Sequence, residues 1–197
     1  MAEKDFQGEI AASIKRLGSG LYYKLPDPPV SQFGERSRKW AAAGKKPFDC
    51  FWCLKNGLFI PMELKQIRGL SMNFGENGAV KPHQEEAGLH LNALGFPALL
   101  VVNFQHVYPA KKAKALGVDK VDRVFAVLFS RAVAGRQNQV GDSMPIGWFE
   151  CNGVELMQGP GRTWDVGKLW DYCQQLQDVA DAFPGHLALG YRQEVCQ

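Results

Sequence analysis

The spacing of apolar and polar residues changes several times along this chain, and each change marks a predicted element. Over residues 6–17, FQGEIAASIKRL, the apolar residues Ile10, Ile14 and Leu17 recur at i, i+4 and i+7. That is the spacing of one helix face, and Gly18 is placed to end it. Residues 21–25, LYYKL, form a short strand pattern closed by Pro26-Asp27-Pro28-Pro29. Residues 30–46 are polar, basic and small, the pattern of a loop or arm. Two apolar runs then flank Lys55-Asn56-Gly57 and predict a hairpin over 47–65.

A long connection, QIRGLSMNFGENGAVKP, follows the hairpin. Connections of that length in a compact domain are often functional. HQEEAGLHLNAL at 83–94 predicts a helix, with Pro82 near its start and Gly95 at its end. PALLVVNF at 97–104 is a continuous apolar run, as in a strand covered on both faces. Further on, DRVFAVLF (122–129) and IGWFE (146–150) predict strands, and KLWDYCQQLQDVADAF (168–183) predicts a helix. No internal repeat or linker divides the chain.

The composition fits one domain. A chain of 197 residues that is 46% hydrophobic can bury a sizeable core. No apolar run reaches the ~18 residues of a membrane span. The opening MAEKDFQGEIAASIKRLG is charged and lacks a signal-peptide apolar region. The expectation is a cytoplasmic protein with no membrane partner. Five cysteines, an odd number, do not make a disulfide framework. Cys50-Phe51-Trp52-Cys53 has the CxxC spacing of a zinc or redox motif, but strand residues three apart point to opposite faces.

Net charge is +3 and the isoelectric point 8.6, which permits nucleic-acid binding without requiring it. Arg36, Arg38, Lys39, Lys45 and Lys46 crowd the segment before the hairpin. Lys111, Lys112 and Lys114 form a second cluster, which reads as a solvated surface.

The hairpin carries charge where a buried strand avoids it. A three-residue loop with Gly57 in the left-handed position pairs Leu54 with Leu58. Counting back opposes Cys53 to Phe59, Phe51 to Pro61, and Asp49 to Glu63, and puts Lys65 on the same face. A two-residue Asn56-Gly57 turn instead opposes Asp49 to Leu64 and scatters the charges over both faces. In the first register two carboxylates meet at roughly 5 Å and repel by about 3 kcal/mol at an effective dielectric of ~20. A proton or a cation relieves that. Mg²⁺ suits the pair, because it takes hard oxygen ligands and keeps several waters. A metal there would lower the pKa of a bound water, and Lys65 could orient that water or stabilise the charge building on a phosphate. Asp followed by Glu-x-Lys on the next strand therefore suits phosphodiester hydrolysis. Two plainer readings stay open on spacing alone: E-x-K as a surface ion pair, and Asp49 as a turn residue.

Phe48-Asp49, a Gly turn and Met62-Glu63-Leu64-Lys65 resemble the PD-(D/E)xK nuclease motif. Asn73-Phe74 in a long loop, Lys81-Pro82-His83-Gln84 opening a helix, and LGFPALLVVNF extend the resemblance to RecU-type Holliday junction resolvases, over roughly residues 6–105. The resemblance implies an α/β fold: a mixed central sheet flanked by helices, with a restriction-endonuclease-like αβββαβ core at 1–105. Residues 106–197 are then a C-terminal extension completing the same domain. It implies Mg²⁺, with Mn²⁺ as substitute, held by Asp49, Glu63, the Leu64 carbonyl and Glu9 of the first helix. Lys65 is the implied catalytic lysine, and Gln84 a supporting glutamine. The basic arm at 30–46 occupies the place of the RecU stalk but is shorter. Arg36, Arg38, Lys39, Lys45, Lys46, Arg68 and Lys81 are the expected DNA contacts. His83 is a further phosphate candidate or an ordinary helix-start residue, and His90 reads as structural.

The expected function is a metal-dependent endonuclease that cuts four-way DNA junctions as a homodimer, bacterial or phage-encoded. The alternatives are a restriction-type or nicking nuclease of the same fold, and a non-catalytic structure-specific DNA-binding protein.

Overall fold

The computed structural model of the protein describes residues 3–26, 46–105, 107, 122–139 and 142–182. The first helix, α1, runs Glu3–Leu17, and Gly18 follows it with a positive φ of 66°. Strands β1 (Gly20–Lys24), β2 (Cys50–Leu54), β3 (Phe59–Arg68) and β4 (Ser71–Asn73) come next. Helix α2 (Pro82–Ala93) leads into β5 (Leu99–Gln105). The remainder comprises β6 (Arg123–Leu128), α3 (Phe129–Gln137), β7 (Ser143–Pro145) and α4 (Ile146–Asn152). It closes with β8 (Val154–Leu156), β9 (Gln158–Gly159), β10 (Thr163–Trp164) and α5 (Val166–Ala182).

Six strands form one mixed sheet in the order β1-β2-β3-β5-β6-β8. Only β3 and β5 are parallel; the other neighbours are antiparallel. A parallel pair needs a crossover between its strands, and α2 lies within it. The chain beyond residue 105 adds β6 and β8 to this same sheet. No helix among the described residues is long and apolar enough to cross a membrane.

Strand alternation sends side chains to two faces, each with its own core. On one face α1 and α5 cover Trp52, Ile60, Met62, Leu64, Leu99 and Val101. On the other, α2, α3 and α4 cover Leu100, Val102, Phe104, Phe125 and Val127. Cys50 belongs to the α1 face, where burial pushes its thiol up to about 12. Cys53, three residues on, alternates to the opposite face.

The hairpin takes the three-residue loop. Leu54 N–H donates to Leu58 O at 2.8 Å, and Gly57 N–H to Leu54 O at 3.0 Å. Gly57 has φ 86°, which an L side chain adopts at a cost. Cys53 then faces Phe59, and Phe51 faces Pro61.

Residues 146–150, expected as a strand, are helical. A five-residue apolar run carries no period long enough to separate the two states. Packing decides it: Phe149 stacks edge-on to Phe104 at 5.2 Å, and Trp148 lies on Gly135, where a Cβ would meet the indole at 2.3 Å. The long connection is also more ordered in pairing than its composition suggested. Strand β3 runs on to Arg68, β4 pairs with β7, and Phe74 bridges to Val80.

Helix α2 is fixed at both ends. A Cβ at Gly88 would meet the Phe129 ring at 2.2 Å, so glycine permits its close approach to α3. Asn92 donates to the carbonyls of Phe96 and Ala98 and accepts from Ser130 N–H at 2.9 Å. That clamp ties the end of α2 to β5 and α3, which sets where the start of α2 falls.

Candidate active site

Asp49 sits just before β2, and its N–H donates to Met62 O at 3.1 Å. The pairing stops there, but β3 continues. The next backbone donor on that edge, Leu64 N–H, is met by Asp49 Oδ2 at 2.9 Å. The side chain thus replaces a missing ladder bond, as a buried backbone donor requires. In a strand the N–H and C=O of one residue share a side, so the Leu64 carbonyl is also directed toward Asp49. The other carboxylate oxygen, Oδ1, pairs with Lys46 Nζ at 3.2 Å.

Glu63, on β3, lies on the α2 face and is 1% exposed. Its Oε1 accepts from Lys65 Nζ at 2.5 Å and from Gln84 Nε2 at 2.5 Å. Lys65 is two residues along the same strand, hence on the same face. Gln84 is the third residue of α2, and its Oε1 accepts Lys81 N–H at 2.9 Å. One carboxamide therefore caps the helix and holds the glutamate. A buried carboxylate must be paired in this way.

The structure thus brings Glu63, Lys65 and Gln84 together on β3 and α2 and ties Asp49, just before β2, to the adjacent Leu64 N–H. The hairpin ladder ends at Cys50 opposite Met62, short of the expected Asp49–Glu63 pair, because Asp49 N–H donates to Met62 O instead. It does not bring Glu9 to this group. Glu9 belongs to α1, on the other face, and accepts the Trp164 indole N–H at 3.0 Å. Burial raises its pKa, outweighing the Trp164 bond. The correction has a simple cause: α1 buries Phe6, Ile10 and Ile14 against the face opposite Glu63. Among the described residues no three His, Cys, Asp or Glu side chains gather as a metal-holding group. The donor set is two buried carboxylates and a carbonyl. That fits a hard cation such as Mg²⁺, which uses one or two carboxylates and keeps waters or substrate oxygens for the rest.

The expected DNA contacts divide. Arg36, Arg38, Lys39 and Lys45 lie outside the described residues, as do Lys111, Lys112 and Lys114. Lys81 Nζ donates to Glu76 O at 2.6 Å, within the loop that precedes α2. Arg68 is exposed at the end of β3, and alternation puts it on the α1 side, away from Lys65. Lys46 holds Asp49, a role sequence reasoning missed because i, i+3 spacing has no fixed geometry outside a helix. Arg136 was missed too. It pairs with Glu85 at 2.9 Å and lies over the Phe74 ring at 5.4 Å, tying the long loop to α2 and α3. Burial raises the Glu85 pKa, with Arg136 acting against that.

No family model and no curated protein matches the chain.

Proposed function

We propose that the protein is a metal-dependent DNA endonuclease with a restriction-endonuclease-like core, most similar in design to RecU-type Holliday junction resolvases. The observation that carries this reading is the buried Glu63 carboxylate held by Lys65 and Gln84, with the buried Asp49 carboxylate on the Leu64 N–H next along the strand. Element order adds support: among the described residues a helix, three strands of the six-stranded sheet, the short β4 outside it, a helix and a strand precede residue 106. A purely structural ion pair does not account for the arrangement. Removing two carboxylates and an ammonium from water costs several kcal/mol per ion, and hydrophobic residues of similar volume usually serve stability better.

Asp49, Glu63 and the Leu64 carbonyl would hold Mg²⁺, with Mn²⁺ as substitute. When bound, the cation supplies hydroxide from water near neutral pH and neutralises phosphate charge. The chain's own groups do the rest. Lys65 Nζ donates toward the attacking water or a non-bridging phosphate oxygen, where charge builds as the new P–O bond forms and the bond to the leaving sugar oxygen breaks. Gln84 fixes the Glu63 carboxylate so that its lone pairs keep their aim. Two symmetric cuts across a junction need two such sites, hence a twofold homodimer.

The test is cleavage of labelled four-way junction, linear duplex and single strand by purified protein with Mg²⁺. Preferential, paired cutting of the junction is expected. Equal cutting of plain duplex would favour a restriction-type enzyme. Binding without cleavage in Mg²⁺ and Mn²⁺ would favour a non-catalytic DNA-binding protein.

A further inference from the structure

The two carboxylates are each neutralised by a separate lysine. Lys65 serves Glu63 from the same strand. Lys46 serves Asp49 from outside any strand, with a side chain 22% exposed against 7% for Asp49. Asp49 Oδ2 is committed to the Leu64 N–H. That leaves Oδ1, the atom Lys46 holds, as the oxygen with no backbone donor among the described residues. A divalent cation and an ammonium repel, so they cannot both occupy it closely.

We propose that Lys46 is a built-in counter-ion that competes with the metal for Asp49 and exchanges onto a DNA phosphate when substrate arrives. The proposal rests on the nuclease reading above. It makes Lys46 a positioning residue that links two binding events. Without DNA, the ammonium keeps Asp49 neutralised and weakens metal binding. A phosphate offers Lys46 another anion, and Asp49 is released to the cation. By linkage the metal then tightens DNA binding by the same factor. The residue type suits this. Lysine is a compact charge on a flexible stem, whereas arginine would lock a carboxylate in a planar two-pronged grip.

The experiment is Mn²⁺ binding to the full chain without DNA, followed by electron paramagnetic resonance of the free ion. Wild type, Lys46→Met, Lys46→Gln and Asp49→Asn are compared, with thermal melts to establish folding. Removing the competitor should tighten Mn²⁺ binding about tenfold in both Lys46 variants, within the usual range of site coupling. Asp49→Asn should lose it. In metal-free buffer, Lys46→Met should also lower the salt dependence of junction binding by roughly 0.9 in log–log slope, one phosphate contact. Unchanged or weaker Mn²⁺ binding in the folded Lys46 variants, with Asp49→Asn still defective, overturns the role of Lys46 and leaves the metal site standing. If wild type and every variant fail to bind Mn²⁺, the metal reading falls, and this proposal with it.

Discussion

Strands β3 and β5 carry polar side chains on both faces of the sheet, and the two faces treat them differently. On the α2 face Glu63 is buried yet fixed by Lys65 and Gln84. On the α1 face Gln66 stands beside Asn103 in the parallel register. Asn103 is fully buried, but neither atom of its carboxamide has a hydrogen-bond partner among the described residues, and neither does Gln66 Nε2. The charged Glu63 receives two donors on Oε1, while the cheaper neutral amide of Asn103 receives none among the described residues. If stability alone had shaped both faces, the reverse would hold, because an unpaired buried polar group costs more than one replaced by hydrocarbon. On the proposed nuclease reading, the α2 face is the working one and the α1 face is scaffold.

The sharpest way to break that contrast is to remove the organised charges. Lys65→Ala should lower cleavage by a few hundredfold or more, the scale of one preorganised electrostatic group, while junction binding persists. On the proposed reading Asp49→Asn should also stop cleavage, by loss of a proposed metal ligand, and should bind junction DNA as well as wild type or better. Single-turnover cleavage beside a binding titration measures both. Full cleavage by either variant would strip the α2 face of its catalytic meaning.

Gln84 tests whether the organisation itself matters. Gln84→Ala leaves Glu63 with one donor fewer and Lys81 N–H without its acceptor. A drop of about tenfold to a hundredfold in activity is expected from losing an outer support of a metal ligand. Stability should fall by about 1–3 kcal/mol from the unsatisfied groups. Urea unfolding and cleavage rates on the same preparations separate the two effects; unchanged rates would make Gln84 a helix cap only.

The α2 face was largely legible before the fold. Asn56-Gly57 between matched apolar runs encodes the hairpin register locally, and a period of two then aligns Glu63 with Lys65. Pro82 fixes the start of α2 and so the turn on which Gln84 lies. The misses share one physical cause, that they depend on contacts distant in sequence. Glu9 sits in a helix whose own pattern cannot say which sheet face it will cover. Lys46 meets Asp49 through irregular backbone. Residues 146–152 become a helix because Trp148 and Phe149 find Gly135 and Phe104. Strands of two or three residues, such as β8 and β10, leave too little pattern to read.

On the α1 face the expected effects are smaller and of opposite sign. Asn103→Leu keeps roughly the same volume and removes two unpaired polar atoms. Burying such an amide costs about 1–3 kcal/mol by mutational data. Part of the gain is lost to imperfect packing, so about 1 kcal/mol of added stability is expected, or ~2–4 °C in Tm for a chain of this size. Cleavage should not change. A lower Tm would mean that an ordered water or another segment satisfies this amide, and that the two faces are organised alike.

The smallest effect belongs to Glu9, and it tests the boundary between the faces. Burial raises the Glu9 pKa from its ordinary value of 4.5, the Trp164 bond and Arg162 acting in the opposite direction. Below about 4.5 the carboxyl is protonated in both folded and unfolded chains and contributes nothing to pH dependence. Between 4.5 and the raised folded value, the folded chain binds more protons than the unfolded one. Stability therefore falls as pH rises through that window, and the cost is complete above it. Glu9→Gln removes this ionisation and keeps an oxygen for the Trp164 indole. The variant should match wild type near pH 4, gain slightly on it by pH 7, and cleave junctions at the wild-type rate. Denaturant midpoints across that range, with cleavage at pH 7, decide the matter. A large loss of cleavage in the folded Glu9→Gln protein would return this acid to the metal site and dissolve the division between a working face and a scaffold face.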